Sequence, residues 1–273
     1  MTSTEPQFIS SRDNALLKDL RRLAQDSHAY RKQGRVWLEG DHLCRAALHR
    51  GLAPSHAVFQ ASYFDRAGHQ WVDAGGKAVV VDDTLFASIS GLESPAPMGF
   101  VLPLPAAAAL QADAPSVVLD GLQDAGNVGT ILRSAGAFGF RQVLAMKGTA
   151  ALWSPKVLRA GMGAHFGLNL VEALEADGLG KLKVPLLATS SHQGDYLHQA
   201  RLPWPCAWVF GHEGQGVSAA LAQRATQFVR IVQPGGEESL NVAAAAAICL
   251  HASAAGIFPA PSGGGLRGPQ AKA

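Results

Sequence analysis

Apolar positions along this chain switch repeatedly between a helical rhythm and short continuous runs, and that switching sets the fold class. Leu16, Leu17, Leu20, Leu23 and Ala24 share one helical face and predict a helix over residues 12–26, capped by Ser10 or Ser11. Residues 1–10 before it read as frayed. Val36-Trp37-Leu38, Ala57-Val58-Phe59 and Ala78-Val79-Val80-Val81 read as strands, with a helix over 41–49 and another capped by Asp82-Asp83. Phe100-Val101-Leu102 reads as an edge strand, because Pro103 and Pro105 follow it. Strands alternating with helices predict a small α/β domain over residues 1–104.

Residues 105–115 read as a linker with little that requires burial, and the alternation then resumes. Strands are predicted at 117–120, 141–146, 168–171, 184–189, 207–211 and 228–232, and helices at 127–138, 154–162, 217–224 and 240–254. Such alternation forces crossover connections, hence a mainly parallel sheet covered on both faces, in a second domain over 116–257. Ligands on such sheets sit beyond the carboxyl ends of the strands. Residues 258–273, rich in Pro, Gly and Ser, read as a disordered tail.

Three segments share one grammar of strand, glycine-bearing loop and helix. They are Asp124-Ala125-Gly126-Asn127-Val128-Gly129 through Arg133, Val209-Phe210-Gly211-His212-Glu213-Gly214-Gln215-Gly216, and Ile231 through Val242. Loops of this kind bring bare backbone N–H groups close to a ligand. A dinucleotide fold is excluded at the first loop: the next strand, Val143-Leu144-Ala145-Met146, ends in Lys147 and offers no carboxylate for a ribose. That absence also weakens an ordinary Rossmann-type methyltransferase. The Gly161–Gly167 stretch misses the dinucleotide spacing and reads as a helix end. There is no P-loop and no G-x-S-x-G elbow.

Composition narrows the classes further. Hydrophobic residues make up 48% of the chain and charged residues 16%, which supports a sizeable core and excludes global disorder. A net charge of +2 does not by itself imply nucleic acid. Arg12, Lys18, Arg21, Arg22, Arg31, Lys32 and Arg35 outnumber Asp13, Asp19 and Asp26, however, which is either a phosphate-attracting face or an ordinary ion-paired helix surface. Cys44, Cys206 and Cys249 are isolated, so neither a disulfide framework nor a cysteine-rich zinc site is indicated, and the reading is reduced thiols in a cytoplasmic protein. His165, His192, His198, His212 and His251 lack metal-ligand spacing. The polar N-terminus is no signal peptide, and the apolar run from Val242 to Leu250 is too short to span a bilayer.

The three loops resemble the motifs of the SpoU, or TrmH-like, family of RNA 2'-O-ribose methyltransferases, within the trefoil-knotted SPOUT superfamily. Asn127, Gly129 and Arg133 match its first motif; Gly211, Glu213 and Gly216 its second; Ser239, Leu240, Asn241 and Val242 its third. Ile9-Ser10-Ser11-Arg12-Asp13-Asn14 and Val36-Trp37-Leu38-Glu39-Gly40 resemble the L30e-like RNA-binding domain that often precedes this catalytic domain. Two departures border the cofactor pocket: Val232-Gln233-Pro234 where the family usually has Pro-Met after its Ile, and Ala243 where Ser is common.

The resemblance implies S-adenosyl-L-methionine as methyl donor, held at Gly211, Ile231, Ser239 and Leu240 with Thr189 nearby, and no metal. It implies RNA as substrate, ribosomal rather than transfer RNA by analogy, and a homodimer packed through the knotted regions. The implied catalytic set is Arg133, Asn127, Glu213, Ser239 and Asn241. Arg133 is the leading member, acting in cis or across the dimer. A guanidinium with a pKa above about 12 is a poor literal base, so its expected work is gripping phosphate and stabilising the developing alkoxide. Asn127 orients the loop or caps its helix, and Glu213 accepts backbone N–H groups or orients Asn127 or Arg133. Ser239 caps the final helix while facing the pocket. Asn241 meets cofactor or substrate, or is a first-turn helix residue. The competing readings are a non-catalytic RNA-binding homologue and a base methyltransferase of the same superfamily, such as a guanine N1 enzyme; the latter lack the Ser-Leu-Asn pattern.

Overall fold

The computed structural model describes residues 5–190, 192–235 and 240–257. Its elements run in the order β1 (Gln7–Ile9), α1 (Ala15–Gln25), α2 (Ala29–Gln33), β2 (Arg35–Glu39), α3 (Asp41–His49), β3 (His56–Gln60), α4 (Ala61–Ala67), β4 (Lys77–Val81), α5 (Asp83–Ala87) and β5 (Met98–Pro103). Then follow β6 (Ser116–Asp120), α6 (Ala125–Ala137), β7 (Gln142–Met146), α7 (Pro155–Gly161), β8 (Asn169–Leu174), β9 (Leu186–Thr189), β10 (Asp195–Tyr196), β11 (Ala207–Gly211), α8 (Ala219–Ala222), β12 (Gln227–Arg230) and α9 (Val242–Ala255). The two sets of strands form two separate sheets.

The N-terminal sheet is mixed, in the order β1-β4-β3-β5-β2. Three expectations change here. Gln7–Ile9 is not frayed but pairs in parallel with Val79–Val81, since an edge of β4 was free to accept it. The cap of α1 is Asn14, whose side chain accepts from Leu16 N, rather than Ser10 or Ser11. The strand at 98–103 lies inside the sheet, antiparallel to both β2 and β3. Pro103 is its last residue, where a missing N–H interrupts no further ladder.

The C-terminal sheet is parallel throughout, in the order β10-β12-β9-β11-β6-β7-β8. Strand side chains alternate between two covered faces. Val117 and Leu119 join one core cluster and Val118 the other, as continuous apolar strands buried on both sides require. The stretch 105–115 is less idle than its composition suggests. Gln142 takes Gln111 N on Oε1 at 2.7 Å and donates Nε2 to Gln111 O at 3.1 Å, and Asn169 Nδ2 donates to Ala109 O at 2.9 Å.

Helices α6 and α7 cross at Gly129. A Cβ on that residue would lie 2.5 Å from Ala160 Cβ and 2.7 Å from Val157 O. Part of the first motif is therefore a packing requirement. Gly129→Ala is expected to destabilise the protein by about 1–3 kcal/mol through overpacking, read as a lower midpoint in urea unfolding with unchanged slope.

The two sheets meet at Glu172 on β8. Its carboxylate accepts Tyr30 Oη at 2.7 Å, Arg31 Nη2 at 3.2 Å and Leu152 N at 2.8 Å. Burial, then the nearby carboxylate and its hydrogen bond, push the Tyr30 hydroxyl above its ordinary range, so it stays a donor. Among the described residues no helix is long and apolar enough to cross a membrane.

Candidate active site

The sheet order places the carboxyl ends of β12, β9 and β11 side by side. Thr189 ends β9, Gly211 ends β11, and Ile231 follows β12. The chain then enters α9 at Asn241, whose Oδ1 caps the helix by accepting Ala243 N at 2.9 Å and Ala244 N at 3.3 Å. Behind it α9 is pinned to β11 by Trp208 Nε1 donating to Ser253 Oγ at 2.9 Å.

These ends enclose a cavity of about 460 Å³. Thr189, Gly211, Glu213, Ile231, Leu240 and Asn241 all line it, so six of the residues singled out by sequence converge. The second-motif loop is closed by paired backbone bonds between His212 and Gly216, at 3.0 and 2.8 Å. Gly211 sits directly under that closure: a Cβ there would run into the Gly216 carbonyl carbon and oxygen and the Val217 nitrogen.

One carboxylate ties the loops together. Glu213 Oε1 accepts Asn127 Nδ2 and Asp124 N, each at 3.3 Å, and Oε2 accepts Gln123 N at 3.5 Å. Asn127 Oδ1 in turn accepts Asn241 Nδ2 at 3.0 Å. The chain Glu213–Asn127–Asn241 thus joins all three motifs through their side chains. Asn127 is not the cap of α6; Asp124 is, with Oδ1 accepting Asn127 N at 2.7 Å. That leaves the Asn127 amide free to bridge. Asn241 caps α9. Ser239 itself lies outside the described residues.

Partial burial opposes ionisation of Glu213. Hydrogen bonds from its own amide, Asn127, Asp124 and Gln123 outweigh it and lower the pKa. A folded pKa below the unfolded one means the carboxylate's contribution is fully present above the ordinary glutamate range and is lost as pH falls through the lowered value. Glu213→Gln is therefore expected to flatten the acid side of the stability profile. Melting temperatures taken downward from neutral pH test this; parallel decline in wild type and variant would refute it.

Arg133 stands apart. It is exposed on α6 and lines a different recess, with Arg50 and Arg141, and no carboxylate pairs with it among the described residues. It does not touch Glu213. Arg50 and Arg141 were not singled out by sequence, for an isolated arginine carries no periodic or motif signal. The basic N-terminal stretch is partly neutralised instead: Lys18 pairs with Asp13, Arg35 with Asp19 and Arg31 with Glu172.

The cavity suits the methyl donor implied by the motifs. Its volume falls within the range of small-ligand sites, and Val229, Ile231, Leu240 and Val242 supply apolar walls beside exposed loop backbone. Gln233, at the departure from the family pattern, lines the cavity with its Oε1 buried and unpartnered among the described residues, so a ligand N–H or O–H would satisfy it. A larger cleft of about 630 Å³ between Arg31, Lys147, Thr149 and Glu172 has charged walls and lacks the second and third motifs. No cluster of three His, Cys, Asp or Glu suited to a metal occurs among the described residues. His165 is a core residue: it is buried, its Nε2 meets Leu152 O at 2.8 Å, and burial lowers its pKa to about 4.

The SpoU rRNA methylase family model matches residues 114–251, and the MRM3-like substrate binding domain matches residues 14–98. An uncharacterized tRNA/rRNA methyltransferase of Synechocystis sp. is 31% identical over 259 residues, covering 89% of this chain and 92% of that protein. The 23S rRNA (guanosine(2553)-2'-O)-methyltransferase RlmP of Bacillus subtilis is 28% identical, covering 89% and 97%. Among solved structures, the AdoMet-bound rRNA methyltransferase from Sinorhizobium meliloti superposes with a TM-score of 0.80 at 25% identity, covering 93% of this chain and 100% of that one.

Proposed function

The chain belongs to the SpoU rRNA methylase family, and from that premise we propose that it transfers a methyl group from S-adenosylmethionine to a ribose 2'-hydroxyl of ribosomal RNA. The observation that carries the reading is the Glu213–Asn127–Asn241 chain of hydrogen bonds, which binds the three motif loops around one apolar-walled cavity. The relatives named as rRNA methyltransferases support the substrate class.

Bound there, S-adenosylmethionine supplies a methyl group already activated on a sulfonium. The protein has to align the ribose and stabilise the oxygen that loses its proton. Alignment is worth roughly 7–11 kcal/mol of the barrier and a general base only about 10²–10⁴-fold, so positioning dominates. Backbone at Gly211, Ile231 and Leu240, with Thr189 and Ser239, holds the cofactor. Glu213 and Asn127 fix the loops, and Asn241 presents the start of α9 to the pocket. Arg133 grips a phosphate and stabilises the alkoxide.

Arg133 lines a recess other than its own chain's cofactor cavity, which supports a homodimer in which it serves the partner's site. The outer face of α9 supports the same assembly: Ala244, Ile248 and Ala255 are exposed on one side of an almost wholly apolar helix. The knotted threading of the family, the domain limits 1–104 and 116–257 around the 105–115 segment, and a cytoplasmic location belong to this reading.

Calorimetric titration with S-adenosylmethionine, followed by mapping of ribose methylation in ribosomal RNA from a strain lacking the protein, tests it. One restored 2'-O-methyl site on adding the protein back is expected. A methyl found on a base, or no binding of the donor, overturns the proposal.

A further inference from the structure

The recess that holds Arg133, about 400 Å³, lies on the seam between the two sheets. Its walls come from α3 on one side, with Ala46, His49 and Arg50, and from α6, Arg141 and the turn after α7 on the other. The seam is tight: a Cβ on Gly163 would lie 2.5 Å from Ala46 Cβ. Arg50 reaches across it. Its guanidinium rests on Gly167, where a Cβ would lie 2.8 Å from Nη2.

Three arginines therefore line one small recess, and no aspartate or glutamate is in its walls. None of the three forms an ion pair among the described residues, although six other ion pairs are present there. The carboxyl end of α3 attracts a cation such as Arg50, which is the plain structural reading of that residue. That reading does not account for Arg133 or Arg141, which sit on other elements. Exposed like charges gathered without counter-charge repel one another, if weakly in water, and an anion between them turns that repulsion into attraction; guanidinium matches phosphate in a two-pronged fashion.

We infer that Arg50 and Arg141 form, with Arg133, a clamp for backbone phosphates of the RNA substrate, so that both sheets hold the strand at the residue that serves the chemistry. This rests on the substrate being RNA, as proposed above. Arg50 and Arg141 are positioning residues: they seat the strand, and Arg133 meets the reacting group.

The test uses full-length protein, labelled S-adenosylmethionine and ribosomal RNA from a strain lacking the protein. Arg50→Ala and Arg141→Ala are each expected to raise KM for RNA about tenfold, with kcat within about twofold and unchanged affinity for S-adenosylmethionine. The slope of log affinity against log salt should become shallower by about 0.7–0.9 for each arginine removed. Gly167→Ala keeps every charge but displaces the Arg50 guanidinium, and should raise KM by about threefold. Arg66→Ala, an exposed arginine bonded to Ser62 O on α4, serves as the control with wild-type KM.

Wild-type KM and salt slope in both Arg50→Ala and Arg141→Ala overturn the clamp. So does a loss seen on intact ribosomal subunits but not on naked RNA, which would assign the recess to a ribosomal protein. Fluorescence anisotropy with a labelled ribosomal RNA fragment separates this from the proposed function. Binding that depends on Arg50 and Arg141 without any methyl transfer keeps the clamp and removes the methyltransferase reading.

Discussion

Arg133→Ala protein is expected to bind S-adenosylmethionine within about threefold of wild type and to transfer methyl groups about 10²–10³-fold more slowly, the usual cost of removing one donor aimed at a developing oxyanion. The separation follows from geometry. Arg133 is outside the cavity lined by Thr189, Gly211, Ile231 and Leu240, so its removal leaves the donor's walls intact. Calorimetry and single-turnover transfer measure the two quantities independently. Full transfer by the variant would remove Arg133 from the mechanism. Lysine at this position should recover little, because a point charge does not reproduce the forked donor geometry.

Gly211→Ala is expected to weaken S-adenosylmethionine binding by roughly 10–10²-fold, the equivalent in affinity of the about 1–3 kcal/mol that overpacking costs. The new methyl has nowhere to go: the Gly216–Val217 backbone folds over Gly211, held by the two His212–Gly216 bonds. Either the closure opens or β11 shifts, and both move the cavity floor. Leu240→Asp gives a second reading of the same wall without strain, since Leu240 is 40% exposed and its replacement places a charge where an apolar surface is needed. Unchanged affinity in both variants, with folded protein by circular dichroism, would place the donor elsewhere.

The two variants also decide whether Arg133 works across a dimer. A protomer with Arg133→Ala keeps its cavity, and one with Gly211→Ala keeps its arginine. Mixed after unfolding and refolding together, random pairing should restore roughly a quarter of wild-type activity if each site draws its arginine from the partner, as symmetric dimers permit. No recovery is expected if the arginine acts within its own chain.

Much of this architecture is legible in the amino-acid order, for identifiable reasons. Continuous apolar runs such as Val117–Leu119 and Trp208–Phe210 mark buried parallel strands regardless of what they pack against. The motif resemblance singles out Asn127, Glu213 and Asn241, and hydrogen bonds join the three side chains. What escapes is whatever depends on neighbours distant in sequence. Gln7–Ile9 is three residues long and becomes a strand only because β4 offers an edge. The stretch 98–103 reads as an edge strand because proline follows it, yet β2, earlier in the chain, pairs along its far side. The cap of α1 escapes as well, since Ser10, Ser11 and Asn14 are all competent and only the backbone angle at the helix start selects among them. Arg50 and Arg141 gain meaning only when α3 docks against the turn after α7 and the two arginines come to line one recess, which no local pattern encodes.

The Glu172 joint has a thermodynamic consequence. Its carboxylate is shared by a tyrosine and an arginine of α2, in the N-terminal half, and by the backbone amide of Leu152 in the C-terminal half, and one apolar cluster runs without a break from Ile9 to Leu250. Neither half can therefore melt and leave the other its full complement of contacts. Heat should dissolve both in a single cooperative transition, and damage to the core of the N-terminal half should lower the melting point of the C-terminal half.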